Sequence, residues 1–524
     1  MGGGSDSNPK REHQMGNLVD WVSVGEVSAE RDSNLSKYFF DAGVSKAIIE
    51  SSKQYLLLGR KGAGKTAVFL HLASKPENLF KKDDLIVPLS LQSYNWQAHE
   101  LLADRQKAGG YQHRDSWRFV LYVESIRAIH THCAENSIAV SGDLSKAAKL
   151  LEKLFSKPVP TWTDLLGEKL YSLAGLDLPS FGLCEDGVTA EAGSISFEQM
   201  EQQPELRRKL NQNIANLTNW FEKCLATAPK GLRVFLIFDR LDEAWVPNFL
   251  DESKIIISGL LHASEHVLGK FDGAIRPIVF LREDIFWTFD INDRNKLRED
   301  CSESLRWKAE SIEQLILSRI NYYATLKSQT PIASLQDLFQ EKEMRSRTSP
   351  VRHLFNRTMC RPRDMVAFLS RTLKSAQSGN LVSTETGRIL TKAIYEAEPG
   401  YSDYLYDELS DEWRNQNPTF LDYLAVLENL RYAMFSTTSF EEALKAKDLI
   451  KDRSDFRTVL RFLFDNSILG IQVGESTQWR YKCFLTTQAF TDVEILKVHP
   501  GLIKRLGLTE GIAPGSTVQP TEME

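Results

Sequence analysis

Apolar residues in this chain follow two patterns: short uninterrupted runs, and longer stretches with apolar positions three or four residues apart. Strands that are apolar along their whole length indicate a parallel sheet covered by helices on both faces. The short runs, each suited to a buried β-strand, are residues 55–58, 84–90, 234–238 and 277–281. The pattern therefore predicts an α/β fold whose core consists of residues 17–91 and 231–300.

Helical spacing dominates two further regions. Apolar residues recur at intervals of three and four from Leu206 to Phe221, and residues 92–230 are predicted to form a helical insertion into the core. The segment 175–196 is rich in Gly, Ser and acidic residues and is predicted to be a loop within that insertion. An amphipathic helix from Leu305 to Tyr323 indicates that residues 301–398 form a helical lid.

The chain changes character again at residues 399–495. A helix over 455–466 is followed by two strand candidates, 468–473 and 479–485, and helices followed by a hairpin are typical of a winged helix. The polar segments at the ends are predicted to be tails: 1–16, which is disordered, and 496–524, which is disordered from Glu510 onward.

Composition and charge restrict the class of protein. The 524 residues are 42% hydrophobic and 26% charged with a net charge of -6, so a global basic field for nucleic acids is excluded. The six cysteines lack zinc-site spacing, which indicates reduced thiols and a cytoplasmic location. Neither a signal peptide nor an apolar run of membrane-spanning length is present, so no membrane association is expected.

A phosphate-binding loop follows the first predicted strand. The pattern G-x-x-x-x-G-K-T runs from Gly59 to Thr66, between an apolar strand and an amphipathic helix. Glycines let successive N–H groups turn toward a phosphate, Lys65 places its charge at the β and γ phosphates, and the Thr66 hydroxyl is the expected Mg²⁺ ligand. The predicted nucleotide-binding residues of the loop are Gly59, Arg60, Lys61, Gly62, Ala63, Gly64, Lys65, Thr66 and Ala67.

The nucleotide is expected to be ATP with Mg²⁺. The stretch Asn295-Lys296-Leu297-Arg298 begins like the guanine-reading motif N-K-x-D but ends in Arg, which disfavours GTP. Asp239 closes the apolar strand 234–238 and is expected to bind the metal, since open α/β sheets bind ligands where their strands end.

The carboxylate that activates the attacking water is less sharply defined. Arg240 occupies the position directly after Asp239, where many nucleotide hydrolases carry Glu. Glu243 and Asp242 are the two candidates, with Glu243 preferred, and the alternative is that both simply cap the next helix.

Three arginines are candidates for contacts with the phosphates. Arg282 ends the strand candidate 277–281 and is predicted to neutralise charge on the γ-phosphate, in its own subunit or in a neighbour; the alternative is a surface pair with Glu283 or Asp284. Arg361 and Arg363 stand at a helix entrance, where they are suited to sense the nucleotide.

The third helix of the predicted winged helix carries a possible basic stripe. Arg453, Arg457 and Arg461 are spaced by four residues and could contact DNA phosphates. Asp448, Asp452 and Asp455 interrupt this charge, so a solvated or protein-contacting face is the alternative.

Several segments together resemble one family of proteins. They are similar to bacterial P-loop ATPases related to STAND and origin-recognition-type AAA+ proteins, several of which occur in anti-phage defence operons. The segments that carry the resemblance are residues 24–30, 59–66, 238–245, 280–285, 305–307 and 361–364.

The resemblance implies an additional-strand core in which the Arg282 strand lies between the two strands that end at Gly59 and Asp239. It further implies that Asp242 and Glu243 support hydrolysis, that Arg361 or Arg363 acts as a second sensor, and that a winged helix follows the lid. Such proteins assemble into homo-oligomers when ATP is bound and often control an effector protein.

Three functions are consistent with these features. The first is an ATP-hydrolysing switch that oligomerises and controls an effector partner in bacterial antiviral defence. The second is a DNA-binding ATPase of the initiator or loader type, which would use the winged helix. The third is a nucleotide-binding scaffold without turnover.

Overall fold

The computed structural model describes residues 17–92, 94–155, 168–175, 202–245, 247–291, 294–345, 347–474 and 478–514. The predicted tail 1–16, most of the predicted loop 175–196 and the end of the C-terminal tail lie outside the described residues. The chain divides into two compact units. We call Asp41–Arg306 the P-loop unit, and the described residues up to Phe40 together with those from Trp307 onward the C-terminal unit.

Helices supply most of the regular structure of both units. In chain order they are α1 (Leu35–Tyr38), α2 (Val44–Glu50), α3 (Lys65–Ala73), α4 (Trp96–Glu100), α5 (Arg114–Glu135), α6 (Gly142–Phe155), α7 (Glu168–Tyr171), α8 (Pro204–Leu225), α9 (Leu250–Lys270), α10 (Glu283–Phe286), α11 (Arg294–Cys301), α12 (Ala309–Leu326), α13 (Pro350–Arg357), α14 (Pro362–Ser378), α15 (Lys392–Trp413), α16 (Phe420–Asn429), α17 (Thr437–Lys445) and α18 (Arg453–Asp465). None of the helices in the described ranges is long and apolar enough to cross a membrane.

The described residues of the P-loop unit form a parallel sheet of five strands in the order β2-β3-β4-β1-β5. Every residue of β1, β3 and β4 is buried, as expected for central strands covered on both faces. The strands are β1 (Leu56–Gly59), β2 (Leu85–Ser90), β3 (Val234–Asp239), β4 (Ile275–Arg282) and β5 (Ser302–Ser304). The order confirms the α/β prediction and the place of the Arg282 strand between the other two.

The helices between residues 92 and 230 share one hydrophobic core with the sheet. Trp117 of α5 is fully buried, and its indole Nε1 donates a hydrogen bond of 2.8 Å to the carbonyl of Ile256 on α9. The same ring meets Phe238 of β3 edge-on, with centroids 5.9 Å apart. The insertion is therefore a layer of the P-loop unit rather than a body with its own core.

Two predicted boundaries of the core differ from the structure. The P-loop unit extends to Arg306, beyond the predicted end at residue 300, because β5 completes the sheet beside β1. Residues 17–40, assigned to the core from sequence, belong to the C-terminal unit. They are held there by α12, where Arg319 donates to the carbonyl of Val24 at 2.8 Å.

Glu222 on α8 joins three helices of the P-loop unit through one carboxylate. Its Oε2 accepts hydrogen bonds from Arg118 Nη2 at 2.5 Å, Tyr122 Oη at 2.6 Å and His266 Nε2 at 3.1 Å. Burial alone would raise the pKa of Glu222, but the hydrogen bonds from Tyr122, His266 and Arg118 outweigh it and lower the pKa to about 2.

This depressed pKa predicts a specific loss of stability in acid. Because the folded pKa of Glu222 lies below its unfolded value, the stabilisation is complete above about pH 5 and lost as the pH falls toward about 2. Urea unfolding from pH 7 to pH 3 should show a shallower acid loss in Glu222→Gln than in the wild type. Glu205→Gln, whose side chain is 80% exposed, is the control and should follow the wild type.

The C-terminal unit contains a winged helix, as predicted. Its elements follow the order α16, β6 (Tyr432–Ser436), α17, α18, β7 (Leu469–Ile471) and β8 (Ile495–Val498). The described strands of its sheet are ordered β7-β8-β6-β9, with β8 antiparallel to both neighbours and β9 (Thr509–Ile512) parallel to β6.

The predicted strand 479–485 and the predicted tail from residue 496 are wrong. Within residues 479–485, Arg480 pairs with Ile471 of β7 in an isolated antiparallel bridge. The Tyr481 hydroxyl donates to the carbonyl of Val498 at 3.2 Å, and its ring fills space that a Cβ at Gly470 would occupy. The second strand of the hairpin is β8, whose Leu496 and Val498 are fully buried. Residues 496–512 thus complete the winged helix.

Candidate functional site

The loop from β1 to α3 has the backbone geometry of a phosphate cradle. Gly62 and Gly64 adopt left-handed conformations with φ of +78° and +97°, which side-chain-bearing residues rarely adopt. Gly64 is the residue directly before α3, so the positive end of that helix faces the loop.

Lys65 is the first residue of α3, and its ammonium folds back over the loop. Its Nζ donates to the carbonyl oxygens of Gly59 at 3.0 Å and Arg60 at 3.2 Å. Desolvation lowers the pKa of Lys65, and the carboxylate of Asp242 opposes that shift more strongly than that of Asp239. Both carboxylates therefore favour the charged form of the lysine.

Asp239 ends β3 and is only 3% exposed. The hydroxyl of Thr66 donates to its carboxylate, while its Oδ2 has no hydrogen-bond partner among the described residues. Burial raises the pKa of Asp239 to about 6. A buried carboxylate with an unpartnered oxygen beside a hydroxyl fits a divalent cation, because Mg²⁺ prefers oxygen ligands and offsets the cost of burying the charge.

A tight turn follows Asp239. Arg240 is left-handed, with φ +66° and ψ 32°, which costs a residue other than Gly about 1 kcal/mol. A 3₁₀ turn, Leu241–Ala244, then brings the Glu243 side chain back, so that Arg240 Nη1 donates to Glu243 Oε1 at 3.0 Å. Asp242 has a different partner: its Oδ2 lies 3.7 Å from Arg282 Nη1.

Arg282 ends β4 and is 7% exposed. Its guanidinium donates to both carboxylate oxygens of Asp284, from Nε at 3.2 Å and from Nη2 at 2.7 Å. The pairing with Asp284 that sequence offered as an alternative is therefore present, but it is buried rather than at the surface. Asp284 itself was not predicted as a site residue, although an acid two residues beyond the strand end was a visible signal.

The structure brings five predicted site residues to the carboxyl edge of one sheet. Lys65, Thr66, Asp239, Asp242 and Arg282 come from α3 and from the ends of β3 and β4, which are adjacent in the sheet. Glu243 lies on the same turn but is paired with Arg240.

Arg361 and Arg363 belong to the C-terminal unit, where each is paired with carboxylates. Arg361 is 4% exposed, and it donates from Nε to Asp364 at 3.0 Å and from Nη1 to Glu412 at 3.1 Å. Arg363 Nη1 donates to Glu408 at 3.2 Å. Their role toward a nucleotide stays a prediction.

Comparison with known proteins gives one family and one curated relative. The family described as the FunZ-associated C-terminal helical domain matches residues 310–410, which span α12 to α15. A putative transposon gamma-delta 80.3 kDa protein from Escherichia coli (strain K12) is 22% identical over 510 residues. The alignment covers 91% of this chain but 66% of that protein, so the chain spans just under two thirds of the relative's length.

Two solved structures align along most of the chain at low similarity. They are Cdc6p from Pyrobaculum aerophilum, with 11% identity and a TM-score of 0.28, and Drosophila ORC bound to DNA, with 9% identity and a TM-score of 0.29. The alignments cover 94% and 96% of this chain, and 95% and 94% of the other chains. Similarity at these scores supports no conclusion about the function of this chain.

Proposed function

We propose that this chain is an ATP-binding and ATP-hydrolysing switch whose nucleotide state controls self-assembly. The observation that supports it best is the meeting of the glycine loop, Lys65, the Thr66–Asp239 pair with its unpartnered oxygen, Asp242 and Arg282 at one edge of the sheet. Catalysis of phosphoryl transfer consists almost entirely of positioning and of charge stabilisation, and these residues supply both.

Each group has a role that follows from its chemistry. The loop N–H groups and the start of α3 hold the phosphates, and Lys65 exchanges its carbonyl partners for phosphate oxygens. Thr66 and Asp239 would hold Mg²⁺, which supplies charge neutralisation at the phosphates. A carboxylate on the turn after Asp239 takes the proton of the attacking water, and Arg282 stabilises negative charge that develops on the transferred group.

The test is to measure particle mass by light scattering and phosphate release with Mg-ATP, Mg-ADP and ATP in excess EDTA. We expect assembly and phosphate release with Mg-ATP alone. An oligomeric state that ignores the nucleotide would refute the switch, and ATP binding without phosphate release would favour the scaffold. Control of an effector protein, with a role in antiviral defence, belongs to the proposal only through the family resemblance.

DNA is a second candidate ligand, favoured by the observed winged helix. Arg453, Arg457 and Arg461 are exposed along α18, although Arg457 also pairs with Asp492 at 2.8 Å.

A duplex-binding titration at several salt concentrations tests this candidate. Changing Arg457 and Arg461 together to Ala should weaken binding and reduce the salt slope by about 1 for each lost phosphate contact. Arg208→Ala, with a side chain 75% exposed in the P-loop unit, is the matched control. Absence of binding at low salt would exclude the candidate.

A further inference from the structure

The turn after Asp239 points two neighbouring carboxylates in different directions. The 3₁₀ turn is closed by a hydrogen bond of 3.2 Å from the Glu243 amide to the Arg240 carbonyl. Through this bend, the Glu243 carboxylate is engaged by Arg240 of its own turn at 3.0 Å. The two adjacent carboxylates thus have different partners, Arg240 for Glu243 and Arg282 for Asp242.

Asp242 faces the phosphate site. Its Oδ2 lies 3.7 Å from Nη1 of Arg282, whose side chain is buried at the end of β4. Arg282 is itself fixed by the two oxygens of Asp284. Asp242 therefore lies beside a fixed cation that is suited to a phosphate oxygen, which is the position that a base for the attacking water needs.

The geometry points to a division of roles in which Asp242 activates the water and Glu243 is a positioning residue held by Arg240. This inference rests on the proposed ATPase function and reverses the preference for Glu243 drawn from the sequence. In the step itself, the water oxygen forms a bond to the γ-phosphorus and its proton passes to Asp242. The bond from that phosphorus to the bridging oxygen breaks, and the electron pair leaves with ADP.

The ion pair also accounts for Arg240 in a strained conformation. A residue with a Cβ is disfavoured at φ +66°, and a side-chain contact offsets part of this cost. Arg240 makes such a contact with Glu243. The pair supports the turn that carries Asp242, and because both side chains are partly exposed this support is small.

The experiment measures kcat and KM for Mg-ATP, ATP affinity and Tm for the wild type and four variants. The variants are Asp242→Asn, Glu243→Gln, Arg240→Gln and the Arg240→Gln, Glu243→Gln double change. We expect Asp242→Asn to lower kcat by about 100-fold or more with little change in ATP affinity, because a positioned base contributes about 10²–10⁴ in rate. Each of the other two single changes should lower kcat by no more than about 5-fold at unchanged KM and Tm, and the double change should be no worse than either.

The outcomes separate this inference from the proposed function. Loss of about 100-fold in Glu243→Gln, with or without the same loss in Asp242→Asn, would overturn the division of roles while leaving the ATPase intact. Retention of kcat in Asp242→Asn, or additive losses in the double variant, would overturn it as well. A wild type that binds ATP without turnover would overturn hydrolysis and the inference together.

Discussion

Replacing Lys65 by Ala is expected to weaken Mg-ATP binding by on the order of 100-fold, since each hydrogen bond between charged groups contributes about 1.5–3 kcal/mol. Phosphate release should fall to background. The folded protein should lose little stability, because the ammonium donates to the carbonyls of its own loop, at 3.0 and 3.2 Å, while desolvation lowers its pKa. Isothermal titration with Mg-ATP and thermal unfolding measure the two effects separately.

Lys46→Ala is the control for loss of a lysine. Its side chain is 66% exposed and pairs with Glu50 on the same helix. Surface ion pairs of this kind contribute little to the free energy of unfolding, and Lys46 lies outside the phosphate loop. ATP affinity and Tm of Lys46→Ala should therefore match the wild type. Retention of tight ATP binding in Lys65→Ala would contradict the assignment of the loop as the nucleotide site.

Replacing Arg361 by Met is expected to destabilise the protein by about 3–5 kcal/mol, the typical result of removing one member of a buried ion pair. Asp364 and Glu412 would remain buried with one cation fewer, and their carboxyl groups are 1% and 5% exposed. Urea unfolding followed by circular dichroism should show a lower midpoint for the C-terminal unit.

This outcome distinguishes a structural role for Arg361 from a nucleotide sensor. If Arg361 were a nucleotide sensor, the Arg361→Met variant would lose assembly or turnover at unchanged stability. If Arg361 is a member of a buried ion pair, the variant loses stability first. Arg363→Met is the matched control, because its partially exposed pair with Glu408 should contribute less than about 1 kcal/mol. Equal stability of the Arg361→Met variant and the wild type would contradict our interpretation.

The sequence predicted the sheet well because its strands carry a local signal. An apolar run followed by glycine or by a charged residue marks β1, β3 and β4, and each ends where it was expected to end or within one residue. The strand β8 was missed because the four residues Ile495–Val498 alternate weakly, and 479–485 is equally suited to a strand. Pairing with β6 and β7 determines which of the two segments forms the strand, and this pairing cannot be read from the local sequence.

The candidate site was predictable in composition but not in orientation. The phosphate loop and Asp239 follow a pattern with fixed spacing, so their meeting could be foreseen. Asp242 and Glu243 are chemically similar neighbours, and their partners differ only in the folded turn that follows the left-handed Arg240, where Glu243 pairs with Arg240 and Asp242 lies 3.7 Å from Arg282. The buried pair of Arg361 depends on Glu412, 51 residues away, and no short-range pattern indicates it.

The discontinuous C-terminal unit has a consequence for folding during synthesis. Residues Leu18, Trp21 and Val24 are buried against segments that begin at α12, so the ribosome makes all of residues 41–306 before their partners exist. At about 5–20 residues per second, this interval lasts on the order of tens of seconds. The P-loop unit can fold first, while the apolar segment 17–40 stays exposed to solvent or bound to a chaperone. Fusions or deletions at the N-terminus should therefore affect the yield of the C-terminal unit, at the far end of the chain.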